Sequence, residues 1–310
     1  MKLTRYFSLV LCAVLLAALV VLPASRALAR PLSVAVSVAP QQWAVEQVGG
    51  GLVSVLPLVP PGSDPHVYEP KPSQVAQLAD ADLYLTIGLE FEKAWLGRLA
   101  GANPHLHVVS MLGTDAPVPE IPEQHDHHAE VQHDHHAGHH HHEGLDPHVW
   151  TSPKGMARML DGTLAELVRL DPDNAVQYRE GHARAMAEVH ELDREIHQMF
   201  DPIPADRRVF LVFHPAWGHF AQDYGLRQLS IQMEGKEPGP VELARVIREA
   251  KESNVKAVFI QPQMSRRTAG QVANALDGRV VRADPLALDW AQNLRSVARG
   301  FRVAMSGSGE

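Results

Sequence analysis

The sequence predicts an α/β protein with two lobes, each a parallel-type sheet flanked by helices, joined by one long rigid helix. In both halves of the chain, short apolar segments rich in β-branched residues alternate with segments of helical periodicity. Between the halves, an amphipathic pattern runs from Asp171 to Phe200. Alternating strands and helices are typical of βαβ units, which build parallel sheets.

The first half contains four predicted strands and three predicted helices. Gly49-Gly50-Gly51, Pro60-Pro61-Gly62 and Gly88 close successive elements. Pro72 suits a helix start, where its missing N–H costs little. The expected strands are Leu32–Val38, Val53–Val59, Leu83–Ile87 and His107–Ser110, and the expected helices are Gln41–Val48, Pro72–Leu78 and Glu90–Leu99.

The long helix is predicted from its ends as well as its period. Asp171-Pro172 suits an N-cap followed by proline at the first helical position, and Pro202 and Pro204 stop the helix. Strand–helix alternation then restarts. The expected strands are Val209–Phe213, Leu229–Gln232, Ala257–Gln261 and Val280–Ala283, and the expected helices are Pro153–Leu170 before the long helix, and Trp217–Tyr224, Val241–Glu252, Thr268–Leu276 and about Trp290–Met305 after it.

The chain begins with the pattern of a secretory signal peptide. Lys2 and Arg5 precede an apolar run from Phe7 to Leu22, and Ala27-Leu28-Ala29 provides small residues for cleavage. The apolar run is shorter than the roughly 20 residues of a spanning helix. We expect export to the periplasm with cleavage near Ala29. The expected organisation is a signal peptide (1–29), an N-terminal lobe (30–170), a linking helix (171–201) and a C-terminal lobe (202–310).

Cysteine usage and charge exclude several kinds of site. Cys12 is the only cysteine, and Leu11 before it is not the small residue that lipid attachment requires. The mature chain therefore has no disulfide and no thiolate metal site. The net charge is −8. All charged residues of the predicted signal peptide are basic, so the mature chain is more acidic still. This charge argues against nucleic acid and is compatible with a cationic ligand.

Nineteen histidines are many for this length. Ten lie in a polar, low-complexity stretch, residues 114–147, which we expect to be a flexible loop. We hypothesise that this loop binds zinc or copper weakly, captures metal or senses its supply, and is dispensable for a tight site. The ten are His125, His127, His128, His133, His135, His136, His139, His140, His141 and His142.

Three other histidines stand at places that suggest a tight metal site. His66 and His148 share the tripeptide Asp-Pro-His, and His66 and His214 each follow a predicted strand. Asp284 also follows a strand. Because ligands of open α/β sheets bind beyond the carboxyl ends of the strands, these side chains are candidates for one site. Three imidazoles and one carboxylate would make a four-coordinate zinc site.

Four segments carry a resemblance to a known family. They are LVPPGSDPHVYEPKPSQVAQL (58–78), DPHVWTSP (146–153), FHPAWGHFAQDYGL (213–226) and ADPLALDW (283–290). In this order they resemble the ligand segments of the metal-binding solute-binding proteins of ABC importers. The histidine-rich loop before the second segment is typical of the zinc-uptake, ZnuA-type branch. The resemblance covers almost the whole mature chain.

The resemblance implies a metal site in the cleft between two lobes. It implies His66, His148 and His214 as ligands, with Asp284 or water as the fourth, and Zn²⁺ as cargo. It also implies a partner, a membrane permease with its cytoplasmic ATPase, and we expect a monomer. Manganese, iron or copper carriers of the same family remain alternatives. Copper is among them because it binds nitrogen ligands more tightly than zinc does. Another alternative is a periplasmic zinc buffer or chaperone that uses the histidine-rich loop.

We do not expect an enzyme. A zinc hydrolase would carry His-Glu-x-x-His on a helix, and His190-Glu191 lacks the second histidine. Gly-x-Ser-x-Gly is also missing from the sequence.

Overall fold

Each half of the chain forms a four-stranded parallel sheet in this computed structural model, which describes residues 30–112, 146–232 and 238–306. The first sheet contains β1 (Leu32–Val36), β2 (Val53–Pro57), β3 (Leu83–Thr86) and β4 (His107–Ser110), in the order β2-β1-β3-β4. The second contains β5 (Val209–Val212), β6 (Arg227–Ser230), β7 (Ala257–Ile260) and β8 (Arg279–Arg282), in the order β6-β5-β7-β8. The two strand orders are the same.

Helices flank both sheets, so the predicted α/β fold class is confirmed. β3, β5 and β7 are buried along their whole length, which explains their unbroken apolar sequences. The helices are α1 (Ala39–Gly49), α2 (Pro72–Leu78), α3 (Glu90–Ala102), α4 (Pro153–Leu170), α5 (Ala175–Phe200), α6 (Gly218–Asp223), α7 (Pro240–Glu252), α8 (Arg266–Ala275) and α9 (Trp290–Ser306).

The long helix α5 joins the lobes. Its 26 residues span about 39 Å, and it packs against α1 and α4 of the first lobe and α9 of the second. Gly181 allows the close approach of α1, because a Cβ there would lie 2.4 Å from the carbonyl oxygen of Val48. At the other end, the Arg295 guanidinium donates to Glu195 at 2.6 Å and ties α9 to α5.

The start of α5 differs from the predicted one. Pro172–Asn174 form a 3-10 turn, and the α-helix begins at Ala175. Asp171 does not cap the turn with its side chain. Its Oδ2 instead accepts hydrogen bonds from Asn174 Nδ2 at 2.6 Å and from the Tyr178 hydroxyl at 2.7 Å. The carboxylate therefore secures the turn through a side chain of the helix.

Two buried tryptophans interlock segments that are far apart in the sequence. The Trp150 indole N–H donates to the carbonyl oxygen of Pro285 at 2.6 Å, and the Trp290 indole N–H donates to the carbonyl oxygen of Trp150 at 2.7 Å. Trp43 of α1 packs against Trp290 with ring centroids 4.9 Å apart. These contacts fix the segment after His148 to both lobes.

Two predicted segments lie outside the described residues: the signal peptide and all ten histidines of the loop. Among the helices that are described, none is both long and apolar enough to cross a membrane.

Candidate metal centre

Three histidines that are distant in sequence meet at the carboxyl ends of the strands. His66 lies in a 3-10 turn (Pro65–Val67) after β2, and His214 follows β5. His148 precedes the turn that leads into α4. Within the described residues, these three form the one group of histidine and acidic side chains with mutually close donor atoms, all within 4.8 Å. His148 and His214 are each only 6% exposed.

The spacing of the three rings suits a tetrahedral metal ion. His148 Nε2 lies 3.3 Å from His66 Nε2 and 3.4 Å from His214 Nε2. Around a zinc ion with Zn–N bonds of about 2.0–2.1 Å, tetrahedral donor atoms lie roughly 3.3–3.4 Å apart. His148 therefore stands at the separation from each of the other two rings that one bound zinc ion requires.

Each ring is oriented by an oxygen acceptor at its outer nitrogen. A proton on Nδ1 that is donated to this acceptor leaves the Nε2 lone pair free to face the other rings. The three pairs are His66 with Glu90 Oε2 (3.2 Å), His148 with Asp146 Oδ1 (2.7 Å) and His214 with Gln232 Oε1 (3.1 Å).

The repeated tripeptide Asp-Pro-His has a structural reason. The backbone N–H of His66 donates to Asp64 Oδ1, and the backbone N–H of His148 donates to Asp146 Oδ1, both at 3.0 Å. The aspartate thus closes a local turn, and the proline restricts the backbone within it. Each turn delivers its histidine to the site in one conformation.

Asp284 forms the same kind of turn. The backbone N–H of Leu286 donates to Asp284 Oδ1 at 2.9 Å, and Asn293 Nδ2 donates to the Asp284 carbonyl at 2.6 Å. Asp284 does not belong to the group of close donor atoms in the described part of the chain. Its role as a metal ligand stays a prediction.

His66 and His214 have pKa values shifted in opposite directions. Burial lowers the pKa of His66, but the hydrogen bond and charge of Glu90, with the charges of Asp64 and Asp146, outweigh burial and raise the pKa above its usual value. Burial, followed by the neighbouring His148 and His66, lowers the pKa of His214 to about 4. His214 is thus held neutral, the form that binds metal.

A buried acid supports the turn that presents Glu90. Glu92 is completely buried, and its carboxylate accepts hydrogen bonds from the backbone N–H groups of Ile87, Gly88 and Leu89. Gly88 has a φ of +85°, which favours glycine at that position. Burial raises the pKa of Glu92 to about 7, although these hydrogen bonds and one from Ser37 act in the opposite direction.

The hydrogen-bond partners of the three histidines were not evident from the sequence. Glu90 follows β3 and Gln232 follows β6, so both stand at the strand ends where ligands are expected. That position was the available signal, but many polar residues share it. Asp146 was noted only as part of its tripeptide.

Two α/β lobes on a connecting helix, with ligand-type side chains gathered at the strand ends, define a two-lobed solute-binding protein. The family model "ZnuA: Zinc-uptake complex component A periplasmic" matches residues 34–301. This chain belongs to that family.

Relatives and solved structures agree with this assignment. The chain is 29% identical to the high-affinity zinc uptake system protein ZnuA of Bacillus subtilis, over 72% of this chain and 68% of that protein. It is also 29% identical to the manganese-binding lipoprotein MntA of Halalkalibacterium halodurans, over 74% and 71%. A crystal structure of ZnuA superposes with a TM-score of 0.77 at 38% identity, covering 89% of this chain and 99% of that one. The zinc-binding protein TroA of Treponema pallidum, at 19% identity, shares the fold with a TM-score of 0.74, covering 89% of this chain and 99% of that one.

Proposed function

We propose that this chain is a periplasmic zinc-binding protein that captures Zn²⁺ and delivers it to an ABC-type importer, a membrane permease with its cytoplasmic ATPase. The signal peptide would direct export and be cleaved near Ala29. The observation that carries the proposal is the convergence of three imidazoles whose donor atoms all lie within 4.8 Å of one another, with His148 Nε2 at 3.3 Å from His66 Nε2 and 3.4 Å from His214 Nε2.

The proposed ligands are His66, His148 and His214. The fourth position belongs to an oxygen, from Asp284 or from water. Three neutral imidazoles leave the full charge of the dication in place, and a carboxylate would reduce it to +1. The hydrogen-bond acceptors on the outer nitrogens increase the basicity of the ligand atoms.

Zinc suits these donors better than manganese does. Imidazole nitrogen is a borderline ligand that favours zinc and copper, whereas manganese favours carboxylate, carbonyl and water oxygens. All three members of the close group are histidines. A manganese or iron carrier is the alternative within the family, and the relative named manganese-binding gives it a specific basis.

A carrier fits the site better than an enzyme does. The cavity beside His66 and His148 has a volume of about 10 Å³, which admits a water-sized group and no organic substrate. Because His148 and His214 are almost completely buried, a substrate could not approach a bound ion without movement of the lobes.

A zinc titration against a competing chelator tests the proposal. The protein would be the mature chain without residues 125–142, so that the ten loop histidines contribute nothing. We expect one tight site, lost in His66→Ala and in His214→Ala. The matched control is His190→Ala, which removes an exposed histidine of α5 and should leave the affinity unchanged.

A second outcome favours the second candidate function. If the shortened protein bound zinc only weakly while the full mature chain bound it tightly, the tight site would belong to the histidine-rich loop. The chain would then be a periplasmic buffer or chaperone.

A further inference from the structure

Two glutamines after β7 have buried side-chain oxygens with no hydrogen-bond donor. Gln261 follows the strand directly and Gln263 lies two residues further on. The Oε1 atoms of both are buried, and no described residue donates a hydrogen bond to either of them. A buried carbonyl oxygen without a partner is costly and rare in folded proteins. Two in one short segment call for a shared explanation.

Both glutamines line the cavity that borders the histidines. His66 and His148 form one part of its wall, and Gln261, Gln263 and Met264 form another. The cavity volume of about 10 Å³ corresponds to one water molecule. The lining also includes Asp64, Pro65, Trp150, Pro285 and Leu286, so the two histidines and the two glutamines share the wall of a space of one-water size.

The acceptor oxygens that line this cavity suit a water molecule. The buried atom of each amide is its acceptor, and a water molecule has two O–H groups to donate. A water that donates to both oxygens still has a lone pair, which can face the imidazoles of His66 and His148 in the same cavity. An ion bound to those nitrogens needs one more oxygen for tetrahedral coordination.

We propose that Gln261 and Gln263 hold a water molecule that serves as the fourth ligand of the bound metal ion. This inference rests on the proposed function of the site. It gives the C-terminal lobe a second contribution to the site besides His214. Asp284 then has a structural role, because its Oδ1 already closes the turn at Leu286.

The choice of amide over carboxylate has consequences for a carrier. Neutral amides leave the dication with its full charge, so the ion is held less tightly than by a carboxylate ligand. A weaker hold on the ion suits binding followed by release.

The test uses Gln261→Met, Gln263→Met and the double variant, in the mature chain without residues 125–142. Zinc affinity is measured by chelator competition, and the coordination of Co²⁺ by its visible absorption spectrum. We expect the double variant to bind zinc about 10-fold more weakly and to change the cobalt spectrum. Gln292→Met, at an exposed position of α9, is the matched control and should change neither.

A second substitution keeps the proposal testable if methionine disturbs the fold. Gln263→Glu keeps an acceptor beside the proposed water and adds a negative charge, so we expect tighter zinc binding and an altered cobalt spectrum. The proposal is overturned if the glutamine variants bind both metals as the parent protein does, and loss of the tight site in Asp284→Asn would then assign the fourth position to Asp284. If the parent protein has no tight site, or keeps it in His214→Ala, the proposed function itself fails.

Discussion

The two lobes share one strand order but support their histidines differently. In the first lobe, His66 donates to a carboxylate, Glu90, and its pKa is raised. In the second, burial and the neighbouring His148 lower the pKa of His214 to about 4, and its hydrogen bond to the neutral amide of Gln232 offsets them only in part. The same strand order therefore carries one histidine with a raised pKa and one with a lowered pKa. The difference lies in residues just beyond the strands and not in the strands themselves.

The buried groups that support the two lobes also differ. In the first lobe, the buried carboxylate of Glu92 anchors the turn after β3. In the second, the Phe301 ring packs against the rings of Phe210, Trp217 and Phe259 at 4.3, 5.5 and 4.6 Å. A carboxylate can titrate and an aromatic cluster cannot, so pH should affect the two lobes unequally.

Removal of the aromatic layer should have the largest effect on stability. Phe301 is fully buried, and Phe301→Ala leaves a cavity among rings that cannot collapse. We expect the free energy of unfolding of the metal-free protein to fall by about 3–5 kcal/mol. Urea unfolding at about pH 5 and about pH 7.5 should give the same loss, since no titratable group is involved. A loss that changed strongly with pH would break the comparison.

Replacement of the buried acid, Glu92, should change how the free energy of unfolding depends on pH. The pKa of Glu92 rises from 4.5 to about 7 on folding, so the folded state binds more protons in that range. Its contribution to stability is complete below about pH 4.5 and is lost as the pH rises through 7, by about 3 kcal/mol.

Urea unfolding of wild type and Glu92→Gln across this range measures the effect. We expect the wild type to lose stability relative to the variant as the pH rises. Glu188→Gln, at an exposed position of α5, is the control. Parallel curves for wild type and Glu92→Gln would show that the carboxyl keeps its ordinary pKa.

Substitution of the partners on the outer nitrogens should have the smallest effect, on zinc affinity. Glu90→Gln and Gln232→Met should each weaken binding about 10- to 100-fold at about pH 7.5. The wild-type affinity should fall as the pH drops, and because the His66 pKa is raised above 6.5 the fall should begin above about pH 6.5. Glu90→Gln should reduce this fall, because it removes the charge that raises the His66 pKa. Gln232→Met should not, and an equal change in both variants would contradict the comparison.

Much of the fold could be predicted because parallel strands buried on both faces have continuous apolar sequences. β5 and β7 were found in this way within one or two residues of their ends. The start of α5 could not be predicted as well. Asp171 resembles an N-cap locally, but its carboxylate binds the Tyr178 hydroxyl seven residues away. Local patterns do not reveal which partner such a side chain selects.

The residues of the site also differ in whether local sequence reveals them. His66 and His148 were recognisable because the tripeptide that carries them is a local turn with its own hydrogen bond. Their supports depend on distances between elements: Glu90 lies 24 residues from His66, and Gln232 lies 18 residues from His214. Asp284 shows the limit of the local pattern, since the same Asp-Pro turn recurs there outside the group of close nitrogens.

The interlock of Trp150 and Trp290 gives the molecule a built-in optical label. Both indole N–H groups donate to carbonyl oxygens inside the protein, and the His148 ring lies 5.3 Å from that of Trp150. Indole emission shifts to longer wavelength when the ring meets water. A separation of these segments would therefore redden the fluorescence, and an ion on His148 would alter its intensity. If the proposed function holds, binding and loss of the ion can be followed in real time without an added dye.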